Sequence, residues 1–122
     1  MSRSIALLLV LLIGGCSASS TADEAARSRC AAVGAFEAAT NQINQVASEP
    51  RPEQETAYEA WFEAARQLRP TLPDESMRQA LDEVVKWTEA ELNGSTATSW
   101  AEISAGVSLR VYLEEAARTC RR

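Results

Sequence analysis

Apolar residues are distributed along this chain in two ways. From Ile5 to Ile13 they form one unbroken run, and beyond residue 20 they return every three or four positions. The second pattern is that of helices buried along one face. Thr21-Ala22-Asp23-Glu24 matches a capping box and opens a first helix reaching to about Ala47, with Ala32, Phe36, Ala39, Ile43 and Val46 on its inward line. Gly34 weakens that helix locally. Glu49-Pro50-Arg51-Pro52 breaks it, because each proline lacks a donor and disfavours helix in the residue before it. Pro52 starts a second helix to about Leu68, with Ala57, Trp61, Ala64, Ala65 and Leu68 facing in and Glu55, Glu59, Glu63 and Arg66 facing water.

Pro70-Thr71-Leu72-Pro73 forms the next break, and Thr71 with Asp74 three residues on predicts the cap of a third helix. Its inward line is Met77, Leu81, Val84, Val85, Thr88 and Leu92, and Asn93-Gly94 stops it. Asn93-Gly94-Ser95 is also formally a glycosylation sequon, but the stop signal is the stronger reading. Ser99-Trp100-Ala101-Glu102 is a second capping box, opening a fourth helix that runs to about Thr119. Four helices with short connections and no strand predict an all-α fold, a small antiparallel up-down four-helix bundle. The fourth helix is unusual in carrying two apolar lines. One runs through Ala105, Leu109, Leu113 and Ala116 to Cys120; the other, Ile103, Val107 and Val111, lies roughly 150° away. Either neighbouring helices cover both lines, or the second is left as a seam for a partner or a second copy.

The run at the start is too short to span a membrane, which takes roughly 20 apolar residues. With Arg3 ahead of it and Gly14-Gly15 behind, it has the make-up of a secretory signal peptide. Ile13-Gly14-Gly15-Cys16 resembles the lipobox of bacterial lipoproteins. That resemblance covers sixteen residues and implies cleavage between Gly15 and Cys16, with Cys16 carrying a diacylglyceryl group. It implies an address at the cell membrane, lipid-anchored on the extracytoplasmic face, or at the outer membrane of a host that has one. The chain then divides into a signal peptide (1–15), a short lipidated tether (16–20) and a helical domain (21–122). The tether reaches only about 14–18 Å when extended, so the domain sits close to the bilayer.

Removing the first 15 of 122 residues leaves 107, about one domain, with 11 basic against 17 acidic side chains. An acidic chain lacks the basic footprint that phosphate backbones require, which argues against nucleic acid as a partner. Once Cys16 carries lipid, Cys30 and Cys120 remain in a compartment where disulfides persist. One intrachain bridge is the expected pairing, with two free thiols or a disulfide-linked dimer as the alternatives. Cys30 lies across the first helix from Ile43, on a line with Gly34 and Asn41, so a bridge there clamps a flank and not the core centre.

Histidine is absent, which excludes His-based triads, HExxH zinc sites and the Glu-x-x-His di-iron motif. No glycine-rich phosphate loop or Gly-x-Ser-x-Gly elbow occurs, and no EF-hand spacing supports calcium. Asp82-Glu83 and Glu114-Glu115 are sequence neighbours, which point about 100° apart on a helix and make no two-carboxylate site. The expectation is therefore no enzyme, no metal and no cofactor.

Two functional classes remain: an interaction or scaffold domain at the envelope, or a carrier of lipid or a small ligand inside the bundle. The alanine-rich inward lines leave little room for a pocket and favour the first. Its candidate partner-binding residues are Ile103, Val107 and Val111, while Tyr58, Phe62 and Trp87 at helix edges either seal the bundle's flank or form a second patch. Arg27, Arg29, Arg66, Arg69, Arg118, Arg121 and Arg122 fall at the lipid end of the bundle, where they either offset helix dipoles or attract anionic headgroups.

Overall fold

Four helices carry the chain in the computed structural model, which describes residues 2–94 and 100–121, and the side chains of 21–94, 100 and 102–121. They are α1 (Ser2–Gln45), α2 (Arg51–Leu68), α3 (Glu75–Leu92) and α4 (Ser104–Cys120). Short 3₁₀ turns, Arg69–Thr71 and Trp100–Glu102, precede α3 and α4, and no strand occurs among the described residues. The fold is an all-α four-helix bundle. α1 packs on α2 and α4, and α3 packs on the same two helices, with the α1–α2 seam the most extensive.

Local chemistry explains most of the boundaries. Pro50 and Pro52 flank the start of α2, and the Gln54 amide donates to the carbonyls of Ala47 and Glu49, closing the preceding turn. Asp74 caps α3 by accepting from the Met77 N–H at 2.8 Å. Thr71, expected to be that cap, instead lies in the 3₁₀ turn and donates its hydroxyl to the Leu68 carbonyl. The aspartate has the advantage of extended backbone immediately ahead of the helix and a charged acceptor. Gly94 takes φ +71° just past α3, the left-handed conformation that its sequence position predicts.

Two other boundaries differ from expectation. The helix does not start at Thr21: α1 passes through it, so the backbone N–H groups of the expected capping box have carbonyls of the preceding turn available. α4 starts at Ser104, not at the Ser99 box, and Ser99 lies outside the described residues. The reason is Gly106. A Cβ there would meet the Trp100 carbonyl oxygen at 1.8 Å and the indole at 2.9 Å, so the Trp100–Glu102 turn folds directly onto the first turn of α4. A continuous helix would carry Trp100 away from that contact.

Trp61 lies at the centre of the core with 0% exposure. Its ring meets Phe36 of α1 with centroids 5.2 Å apart and Phe62 edge-on at 5.4 Å. Ala57, Ala64 and Ala65 beside it, and Ala32 on α1, let the two backbones approach closely. Val33, which the expected inward line omitted, is also buried. Leu81 and Val84 of α3 and Leu109 and Leu113 of α4 close the core from the other side. Thr88, the one buried polar residue among those described, donates to the Val84 carbonyl at 2.8 Å.

Gly106→Ala is expected to cost on the order of 1–3 kcal/mol, because the clash is with backbone that cannot swing aside. Gly34→Ala, with nothing within 4 Å of the added methyl, should stabilise by about 1 kcal/mol. Thermal unfolding of the two variants checks the pair, and Trp emission should shift to the red only in Gly106→Ala.

Candidate functional site

The candidate surfaces differ in how the bundle treats them. On α4, Leu109, Leu113 and Ala117 are buried and Ala105, Tyr112, Ala116 and Cys120 are half-buried, so one broad face enters the core. Val107 and Val111 lie opposite and are 40% and 60% exposed. Among the described residues no neighbouring helix wraps over them. Ile103 departs from this line: it is the residue preceding α4, in extended backbone, and is half-buried. The exposed apolar seam is therefore the two valines, with Arg110, Glu114, Ser108 and Glu115 around them as exposed polar neighbours.

Tyr58, Phe62 and Trp87 are all half-buried. Phe62 backs on Trp61 and lines an open groove of about 560 Å³ between α2 and α3, together with Leu81 and Val85. Tyr58 stands near Glu91 of α3. Burial first, and the Glu91 charge second, push the Tyr58 phenol above its ordinary range. Burial likewise raises the Glu91 carboxyl, opposed by the hydrogen bond it accepts from the backbone N–H of Trp100. Glu91 thus links the end of α3 to the turn that precedes α4.

Of the seven arginines expected at the lipid end, three are engaged within the fold. Arg66 pairs with Glu63 and Arg118 with Glu115, each one helical turn apart. Arg69 makes a two-pronged pair with Asp82, 2.9 Å on each side, fastening the turn after α2 to α3. That hydrogen bond holds the Asp82 carboxyl below its usual range. Arg27, Arg29 and Arg121 are exposed and form no ion pair among the described residues, and Arg122 lies outside them.

Cys30 and Cys120 are half-buried at the α1–α4 flank, with Cα atoms 5.6 Å apart and sulfurs at bonding distance, 2.09 Å. Gly34 and Asn41, on the same side of α1, are exposed. The side chain of Cys16, the residue expected to carry lipid, and Gly15 before it lie outside the described side chains. Among the described residues no helix is long and apolar enough to cross a membrane, and no group of three or more His, Cys, Asp or Glu could hold a metal ion. Set against protein-family models, curated proteins and solved structures, the chain matches none.

The raised Glu91 carboxyl fixes a sign for stability against pH. A carboxyl whose folded value lies above its unfolded one binds more protons when folded, so stability falls as pH rises from the ordinary carboxylate value through the raised one. Gln keeps the acceptor for the Trp100 N–H and removes the half-buried charge. Glu91→Gln should therefore unfold at an equal or higher temperature than the parent at pH 7. The difference should close below about pH 4, where the parent carboxyl is protonated in both states. Melting followed by circular dichroism at the two pH values checks it; a variant less stable at pH 7 would contradict it.

Proposed function

We propose that this chain is a bacterial lipoprotein, held at Cys16 on the extracytoplasmic face of the cell envelope. Its helical bundle serves there as an interaction or scaffold domain for an envelope protein or a second copy. The observation that carries the reading is the exposure of Val107 and Val111, on a helix whose opposite face already supplies its core contacts. A helix packed on one face has no structural need for a second apolar line. The leader ending in Ile13-Gly14-Gly15-Cys16 supplies the address. An oxidised Cys30–Cys120 bridge belongs to the same reading, since disulfides persist outside the cytoplasm.

The four helices are read as an up-and-down course, which puts the tether, the turn after α2 and the end of α4 at the membrane. With Arg66, Arg69 and Arg118 paired internally, Arg27, Arg29, Arg121 and Arg122 are the charges left for headgroups. Their pull is offset by Asp23 and Glu24, which are exposed beside them. Tethering also favours a weak protein contact by raising its effective concentration.

The test is the double variant Val107→Glu, Val111→Glu in the lipid-anchored protein. Its melting temperature should stay within about 4 °C of the parent, as for substitutions at exposed positions. Cross-linking on intact cells should lose the species formed by the parent. A sharp fall in melting temperature, or an unchanged cross-linked species, would contradict the proposal.

A further inference from the structure

Between α1 and α4, on the core side of the disulfide, lies a second feature that the valine seam does not explain. A cleft of about 270 Å³ is lined by three apolar side chains, Phe36, Leu113 and Trp100, and by three charged ones, Glu37, Arg110 and Glu114. Arg110 differs from the other arginines of its stretch. Arg51, Arg66, Arg69, Arg78 and Arg118 each pair with a carboxylate, whereas Arg110 has no ion pair among the described residues, although Glu114 is one turn away. Glu37, half-buried, makes no hydrogen bond or ion pair there either, and Glu114 only adds to the field at Arg118. The Asn41 amide lines the same cleft with its hydrogen-bonding groups free among the described residues.

We propose that this cleft binds a free diamino acid, a short methylene chain bearing two ammonium groups and one carboxylate. The charges at the cleft select this class. A simple cation would meet the Arg110 guanidinium, and a simple anion would meet two carboxylates. Two ammonium groups with one carboxylate give each of the three protein charges an opposite partner. The methylenes lie against Phe36 and Leu113, and an ammonium beside the Trp100 ring gains a cation–π contact. The volume is below the roughly 300 Å³ at which drug-sized ligands are held, so the occupant is of amino-acid size. A net charge of −5 on the chain concentrates cations around it. A lysine within a protein lacks the free α-ammonium and carboxylate and is not the occupant. This binding needs neither the lipid anchor nor the exposed valines, although Arg110 and Glu114 border both the cleft and the seam.

Calorimetric titration of L-lysine into the full-length protein in detergent at low salt tests the proposal. A ligand of this size at an open cleft should bind saturably with a Kd of about 0.1–1 mM. Glu37→Gln and Arg110→Gln should each weaken it about tenfold. Norleucine, which lacks the second ammonium, and lysine capped at both its α-amino and carboxyl groups should lose at least as much. No saturable binding of L-lysine up to about 10 mM would overturn the assignment. Equal binding of norleucine or of capped lysine would overturn it too, and neither comparison needs a variant to fold.

Discussion

The indole of Trp61 is the constraint on which the rest of the bundle depends. It is the largest side chain in the core and wholly buried, and its N–H must find an acceptor or cost the fold a desolvated donor. Thr40 on α1 supplies that acceptor at 3.0 Å, while its own hydroxyl donates to the Phe36 carbonyl at 2.8 Å. One hydroxyl thus serves both helices and fixes how far along α1 the α2 helix is set. The Phe36 ring meets the indole at that same level. The alanines of the seam let the helices close around the indole, and no buried side-chain polar atom among the described residues is left without a partner.

The outer features follow from how this centre is covered. α3 and α4 bring Leu81, Val84, Leu109 and Leu113 to the open side of the α1–α2 pair, which uses one face of each helix. The outer face of α4 is then surplus, and its two valines remain in solvent. The Cys30–Cys120 pair joins α1 to α4 at a flank and so leaves the central packing to Phe36 and Trp61. Farther along the same seam the Trp100 turn meets α4 at Gly106, and the cleft with Arg110, unpaired among the described residues, opens beside it. A core filled by Trp61, Phe36 and leucines is suited to rigidity, which serves a docking scaffold better than a carrier with an internal pocket.

Much of this was legible in the chain itself, where short-range chemistry decides the outcome. Pro50, Pro52, Pro70 and Pro73 and the Asn93-Gly94 stop marked the breaks between helices, and helical spacing assigned Trp61, Leu81, Val84, Leu109 and Leu113 to the core. The Cys30–Cys120 pairing was the one expected if Cys16 carries lipid, and the two sulfurs do lie at bonding distance. What escaped were contacts made in three dimensions. Gly106 reads as an ordinary weak helix position until the Trp100 carbonyl is seen against it. Thr40 reads as one more polar residue until the Trp61 N–H reaches it. Arg69–Asp82 spans thirteen positions and has no signature, unlike the pairs one turn apart. Thr71 and Asp74 are both acceptable caps by composition, and only backbone conformation separates them. For α4, the two apolar lines were visible, but whether the bundle also covers the second was a question of packing.

The central claim, that a shared Thr40 hydroxyl registers α1 on α2 through the Trp61 indole, is tested most directly by a double-mutant cycle in thermal unfolding. Thr40→Val leaves the indole N–H buried without an acceptor and should cost about 1–3 kcal/mol in the parent. In a Trp61→Phe background that donor is gone, and the same substitution should cost far less. An equal loss from Thr40→Val in both backgrounds would show that the hydrogen bond does not set the seam.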